Sequence, residues 1–295
     1  MQIRTDLAME ARELAGEDTD GIELKKKDYG DVVISSLFVK TDKAAQSIGK
    51  DRGSYITAEM NTLTDEFKET DKRLELIAQN IRRLLPQKGL VLVAGLGNDN
   101  ITPDALGPKA ARGILATRHI RGELARSTGL DRLRGVAVLT PGVTGQTGIE
   151  TGELILSVAQ RIKPAAVIVI DALASRRLER LGCTVQISDT GISPGDGVGN
   201  HRAKINRDTV GVPVVSIGIP TVVDAFTLAA DLLLDSDEAS PELIKRSVYP
   251  NGQRMVVTPG EIDLLVERGS RLISMAINVA LQPSLSLADL ISLVR

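Results

Sequence analysis

The sequence predicts an α/β fold, a mostly parallel sheet flanked by helices. Three observations carry that prediction. Short, predominantly apolar runs recur at 90–94, 165–170 and 212–217, which is how strands buried on both faces read. Helical spacing or helix-start signals lie between them, so strands and helices alternate. The first two runs end in a glycine turn or an aspartate, which puts polar groups at the sheet edge where open α/β folds bind ligands.

In chain order, residues 1–30 mix acidic and basic side chains, with Glu17 to Gly21 as a loop signal. Residues 31–40 and 53–58 read as strands around a turn-rich 47–52 segment. From Asp65 to Leu85, Phe67, Leu74, Leu76, Ile77, Ile81 and Leu84 recur at helical spacing, and Pro86 ends that helix. After the strand at 90–94 comes the turn Gly95-Leu96-Gly97-Asn98. Thr102 as N-cap and Pro103 at the first helical position then open a helix over about 104–118. A strand at 136–139, a loop at 141–148 and a helix from about 151 follow. The strand at 166–170 ends on Asp171, and a helix runs from Ala172 to Gly182. Next come a strand at 184–188, a glycine-rich stretch from Asp189 to Asn200, and a strand at 212–217. Pro220 to Asp224 starts a further helix, and 235–252 is a polar connection. Met255-Val256-Val257 and a helix from Pro259 to about Ala280 close the chain. The expectation is one α/β domain whose first part, to about residue 60, is a strand-containing extension.

Composition narrows the function. With 295 residues, 42% of them hydrophobic and 25% charged, the chain is globular. A net charge of −2 argues against a dedicated nucleic-acid or membrane-surface binder. Aromatics make up 2% with no Trp, so base stacking is largely unavailable. The one cysteine, Cys183, excludes an internal disulfide and fits an intracellular compartment. No apolar run approaches the ~20 residues of a membrane span, and the N-terminus lacks a signal-peptide core.

The candidate chemistry is a pair of carboxylates. Asp104 and Asp171 follow two buried strands and, in one parallel sheet, emerge at the same edge. Each alone reads equally well as a helix-start acid or an N-cap. Together they suit general acid–base work. Carboxylates at close range do not both ionise easily, so one takes a proton from water while the other protonates a leaving amine. The glycine loops at 142–148 and 189–199 leave backbone N–H groups for an extended peptide or an oxyanion. Other motifs fail. The Gly95-Leu96-Gly97 fingerprint has Asn100 where a dinucleotide site needs glycine. In Gly191-Ile192-Ser193-Pro194-Gly195, Pro194 lacks the N–H a nucleophile elbow requires. His119 and His201 belong to no zinc pattern, and Cys183 reads as a structural thiol.

Longer stretches resemble the germination protease family of spore-forming bacteria. They are Arg4-Thr5-Asp6-Leu7-Ala8, Gly95 to Asn98 with Thr102 to Pro108, Thr147 to Thr151, Ile170 to Ala174, Gln186 to Ile192, Gly218 to Ala225, and Met255 to Pro259. The resemblance implies an endopeptidase that opens the breakdown of small acid-soluble spore proteins during germination. It implies a fold similar to hydrogenase-maturation peptidases, catalysis by Asp104 and Asp171, and no metal or other cofactor. Asn98, Thr102, Gly145, Thr147, Asp189 and Thr190 would shape the substrate cleft. The family is a homotetrameric zymogen that removes its own propeptide, here Met1 to Asp6, with the cut between Asp6 and Leu7 and the peptidase domain over 7–295. It works in the cytoplasm of the forespore and spore, on protein substrates, without nucleic acid or membrane. The readings left beside it are a metal-dependent peptidase of the hydrogenase-maturation type, in which the aspartates hold an ion, and a non-catalytic peptide-binding protein.

Overall fold

The computed structural model describes residues 3–16, 20–68, 71–120, 122–127, 130–195, 203–233, 241–249 and 252–294. Met1 and Gln2 of the expected propeptide, residues 196–200 of the glycine-rich stretch, His201, and 235–240 with 250–251 of the polar connection lie outside these. The strands are β1 (Ile22–Asp28), β2 (Val32–Val39), β3 (Gly53–Met60), β4 (Val91–Gly95), β5 (Val136–Leu139), β6 (Ala166–Ser175), β7 (Thr184–Ser188), β8 (Val214–Asp224) and β9 (Val256–Val257). The α-helices are α1 (Ala8–Ala15), α2 (Asp42–Ile48), α3 (Lys72–Leu84), α4 (Leu106–Arg112), α5 (Gly122–Ser127), α6 (Thr144–Thr147), α7 (Thr151–Ile162), α8 (Arg207–Val210), α9 (Ala225–Leu232), α10 (Pro241–Val248), α11 (Ile262–Leu281) and α12 (Leu287–Leu293).

The strands make one sheet in the order β1-β2-β3-β7-β8-β6-β4-β5, with β9 on the end of β8. The α/β class holds, and the sheet is mixed. β5, β4, β6 and β8 are parallel neighbours, and the other pairings are antiparallel. Connection length fixes the β1–β2 pairing. β1 and β2 are joined only by residues 29–31, a link that permits nothing but an antiparallel pair. The parallel strands are joined through helices, and β4 and β6 carry the apolar runs of strands covered on both sides.

One face packs on α3, α4 and α11, through Ile77, Ile81, Leu106, Ile273 and Ile277 against Val93, Ile168, Ile170, Ile217 and Ile219. On the other face α7 covers one end, with Ile155 and Ala159 against Leu92, Ala94, Val167 and Val169. α1 and α2 cover the opposite end, with Ala8, Ala11 and Ala44 against Leu37, Val39 and Tyr55. The sheet between these two patches is where the site lies.

Several expectations are corrected. No helix spans 172–182: β6 continues to Ser175, because β8 continues beside it, pairing through Ser175 and Val223 across a register shift at Leu173/Ala174. Residues 220–223 are likewise strand, and α9 begins only after Asp224, whose side chain accepts the Thr227 N–H. The Thr102 helix is a 3-10 turn, Thr102–Asp104, followed by α4, which stops at Gly113. The helix expected from Asp65 begins at Lys72, where Asp71 caps it by accepting the N–H groups of Arg73 and Leu74. Residues 241–248 of the polar connection form α10, and α1, β1, α2 and α12 had no distinct sequence signal.

Candidate active site

Asp104 and Asp171 line one cavity of about 310 Å³ at the C-terminal end of the parallel strands. Asp104 closes the 3-10 turn after β4, and its Oδ2 accepts the backbone N–H of Asn98 at 2.8 Å. Gly97 permits that approach. Its φ is +117°, and a Cβ there would overlap the Asp104 carbonyl oxygen and sit 3.2 Å from Asp104 Oδ1. The Gly-Leu-Gly turn therefore answers to Asp104 rather than to a nucleotide. Asp171 sits within β6, buried, and its Oδ1 accepts the N–H of Ala172 at 2.9 Å.

The chain's own N-terminal segment occupies the groove between the helix-covered patches. Past Ile170, β4 has ended and β6 has an open edge, and Asp6 binds there. Its N–H donates to the Ala174 carbonyl at 2.8 Å, and its Oδ2 accepts the Ala174 N–H at 2.7 Å. Upstream, the Arg4 N–H donates to Thr227 Oγ1 at 3.2 Å. Downstream, Leu7 is fully buried and leads into α1. Glu10 on α1, also fully buried, accepts the N–H groups of Arg176 and Arg177 at 2.7 and 3.1 Å and the Thr5 hydroxyl. Arg180 reaches Glu10, Glu13 and Glu59, and Arg176 reaches Glu13 and Asp231, so ion pairs fasten α1 beyond the end of β6.

A second cavity adjoins the first, and Asp6 and Leu173 line both. It holds Lys50, Tyr55, Gln186, Ser188, Thr190 and Lys204. Burial pushes the Tyr55 phenol up to about 12, against the hydrogen bond from Thr190, so it stays protonated and donates to the Asp51 carbonyl at 3.0 Å. Burial also holds the Lys204 ammonium below its ordinary value, and the Lys50 charge adds to this while Asp208 opposes it.

The structure thus brings Asp104, Asp171, Asp6 and Thr190 to the groove. Asn98 stands one step back, giving its N–H to Asp104 and accepting Gln146 Nε2 at 2.6 Å. Thr102 opens the turn that carries Asp104. Gly145 and Thr147 lie in α6, and Asp189 turns to accept the Ser54 N–H at 2.7 Å. None of Asn98, Thr102, Gly145, Thr147 and Asp189 lines either cavity, whereas Val143, Pro194 and Gly195 from the same loops do, with Thr151 at the start of α7. Sequence reading gave no role to Lys50, which carries no local motif, nor to Ala174 and Gln186, although both lie in stretches that carry the family resemblance. Among the described residues no group of three or more His, Cys, Asp and Glu is gathered as a metal site, and no helix is long and apolar enough to cross a membrane.

A model of the germination protease family matches residues 2–236. The chain belongs to the germination protease family. A germination protease of Caldanaerobacter subterraneus subsp. tengcongensis is 43% identical over 96% of this chain and 95% of its own length. One from Clostridium tetani is 41% identical over 98% of each. Among solved structures, a [NiFe] hydrogenase maturation protease HycI from Thermococcus kodakarensis covers 67% of this chain and 98% of its own, at 18% identity and a TM-score of 0.37. That last likeness is loose, and the α/β class rests on the strand pairing described above. Membership makes the protein a peptidase of spore germination.

Proposed function

We propose that this groove is the active site of an endopeptidase that begins the breakdown of small acid-soluble spore proteins, with Asp104 and Asp171 as its catalytic pair. One carboxylate takes a proton from a water as the water oxygen bonds to the scissile carbonyl carbon. The other, protonated, gives its proton to the nitrogen as the C–N bond breaks. The observation that supports this best is the chain's own Asp6, hydrogen-bonded to Ala174 through its main-chain N–H and its carboxylate in the cavity that Asp104 and Asp171 line. A peptide held that way reads as a substrate before its own cut.

On this reading the protein is a zymogen that cuts itself between Asp6 and Leu7, and spore proteins later enter the same groove with an acidic residue in the place of Asp6. Assembly as a homotetramer in the spore cytoplasm belongs to the same proposal. The test uses the full chain with an acid-soluble spore protein, with and without EDTA, and mass spectrometry of the products. Wild type should cut itself before Leu7 and cut the spore protein after acidic residues, untouched by EDTA. Asp104→Asn and Asp171→Asn should each lose about 10²–10⁴-fold, the range of a general acid or base. Cleavage abolished by EDTA would make the pair metal ligands. Binding without cleavage by wild type would make the protein a peptide binder. Cleavage surviving both substitutions would refute the site.

A further inference from the structure

The bond between Asp6 and Leu7 is gripped from the side of the groove away from α7. Asp171 on β6, Gly218 on β8 and Gln186 on β7 stand in register across three neighbouring strands. Side chains in one row point to one face, so Asp171 and Gln186 flank Gly218 with backbones about 10 Å apart, two strand spacings. A Cβ at Gly218 would come within 2.6 Å of the Asp171 carbonyl oxygen and of the Leu173 side chain, so the row needs glycine there. Gln186, buried, reads the main chain on both sides of Leu7. Its Nε2 donates to the Asp6 carbonyl at 3.0 Å, and its Oε1 accepts the Ala8 N–H at 2.8 Å. Lys50, just after the C-terminus of α2, donates its Nζ to the same Asp6 carbonyl at 3.2 Å and to the Thr5 carbonyl at 2.9 Å.

We infer that Lys50 and Gln186 form the oxyanion site of the peptidase, holding the carbonyl oxygen of the residue before the cut. The inference rests on the proposed function above. When water adds to the carbonyl carbon, the C=O π pair moves onto the oxygen. That oxygen gains negative charge while bonded to an ammonium and an amide N–H already in place. Collapse returns the pair to the carbon and expels the nitrogen, which takes its proton from the acid of the aspartate pair. Donors preset where charge develops stabilise the transition state more than the ground state. Both contacts reach main-chain atoms only, so the same grip serves a spore protein of different sequence. It also assigns work the two aspartates leave undone, because neither needs to carry the oxyanion.

The test follows cleavage of the full chain between Asp6 and Leu7 by intact mass, together with amide exchange at Ala174 and Ala8, which reports whether the segment is seated. Wild type, Lys50→Met, Lys50→Arg, Gln186→Leu and Asp171→Asn are compared. Lys50→Met should cut about 10²-fold slower, the loss typical of one oxyanion donor, with the Ala174 amide as protected as in wild type. Lys50→Arg, which keeps a cationic donor, should recover most of that loss, and Gln186→Leu should be slowed with the Ala8 amide exposed. Wild-type rates in Lys50→Met and Gln186→Leu, with Asp171→Asn inert, would overturn the inference and leave the peptidase reading standing. Slowing that only tracks lost protection at Ala174 would reduce Lys50 to an anchor and also overturn it. Failure of wild type to cut, or wild-type rates in Asp171→Asn, would bring down the peptidase reading itself and this inference with it.

Discussion

Glu10→Gln tests how α1 and the docked segment are held. The glutamate is fully buried, and its two oxygens accept the backbone N–H groups of Arg176 and Arg177. Glutamine has the same shape but offers one acceptor and one donor, so one of those N–H groups would face an NH₂. Losing a hydrogen bond to a charged acceptor and leaving its donor buried costs about 1.5–3 kcal/mol. Arg180, 3.4 Å from Glu10 through its Nε, also loses one of its three carboxylate neighbours but keeps Glu13 and Glu59. A total near 3 kcal/mol follows, a sizeable part of the 5–15 kcal/mol that typically holds a domain together. With a urea slope of about 3 kcal/mol per molar, the unfolding midpoint should fall by about 1 M. Amide exchange should be faster at Ala174 and Arg176, where the segment and α1 meet β6. A midpoint within about 0.2 M of wild type, with both amides equally protected, would refute the claim that Glu10 fastens the N-terminal segment.

Two further predictions concern other parts of the fold. Gly97→Ala puts a methyl group against the Asp104 carbonyl in a φ that disfavours side chains, so the 3-10 turn must shift. We expect a loss of roughly 1–3 kcal/mol by thermal melting and a fall in cleavage rate larger than for an alanine placed at the exposed Gly145; unchanged activity would show that Asp104 needs no fixed turn. Asp71→Ala removes the cap of α3, which should cost about 1 kcal/mol at neutral pH. Burial raises the Asp71 carboxyl, but the Arg73 side chain and the Arg73 and Leu74 N–H groups outweigh it and hold the group below the ordinary value. A depressed carboxyl stabilises the fold above its unfolded pKa and loses that contribution as pH falls through the folded one. The gap between wild type and Asp71→Ala should therefore shrink below about pH 4, and a gap that stays constant down to pH 2 would show that the cap does not depend on the carboxylate's charge.

Local pattern was enough for the position of strands β4 to β8, though not the full length of β6 and β8, for the burial of β4 and β6, and for the glycine turn after β4. Apolar runs and glycine turns act over a few residues, and nothing distant has to be known to read them. That Asp104 and Asp171 come to one cavity was legible as well, because each follows an apolar run and the ends of such runs gather on one edge of a parallel sheet. The local role given to Asp171 was not correct. Ala172-Leu173-Ala174 reads as a helix start in isolation, but pairing with β8 on one side and docking of Asp6 on the other make it strand. Those partners outweigh a propensity worth a fraction of a kcal/mol per residue. The mixed sheet order, and with it the meeting of Lys50, Gln186 and Asp6, is tertiary throughout. Asp6 and Ala174 are 168 residues apart in sequence. No spacing rule connects them, and only the open edge of β6 beyond the end of β4 brings them together.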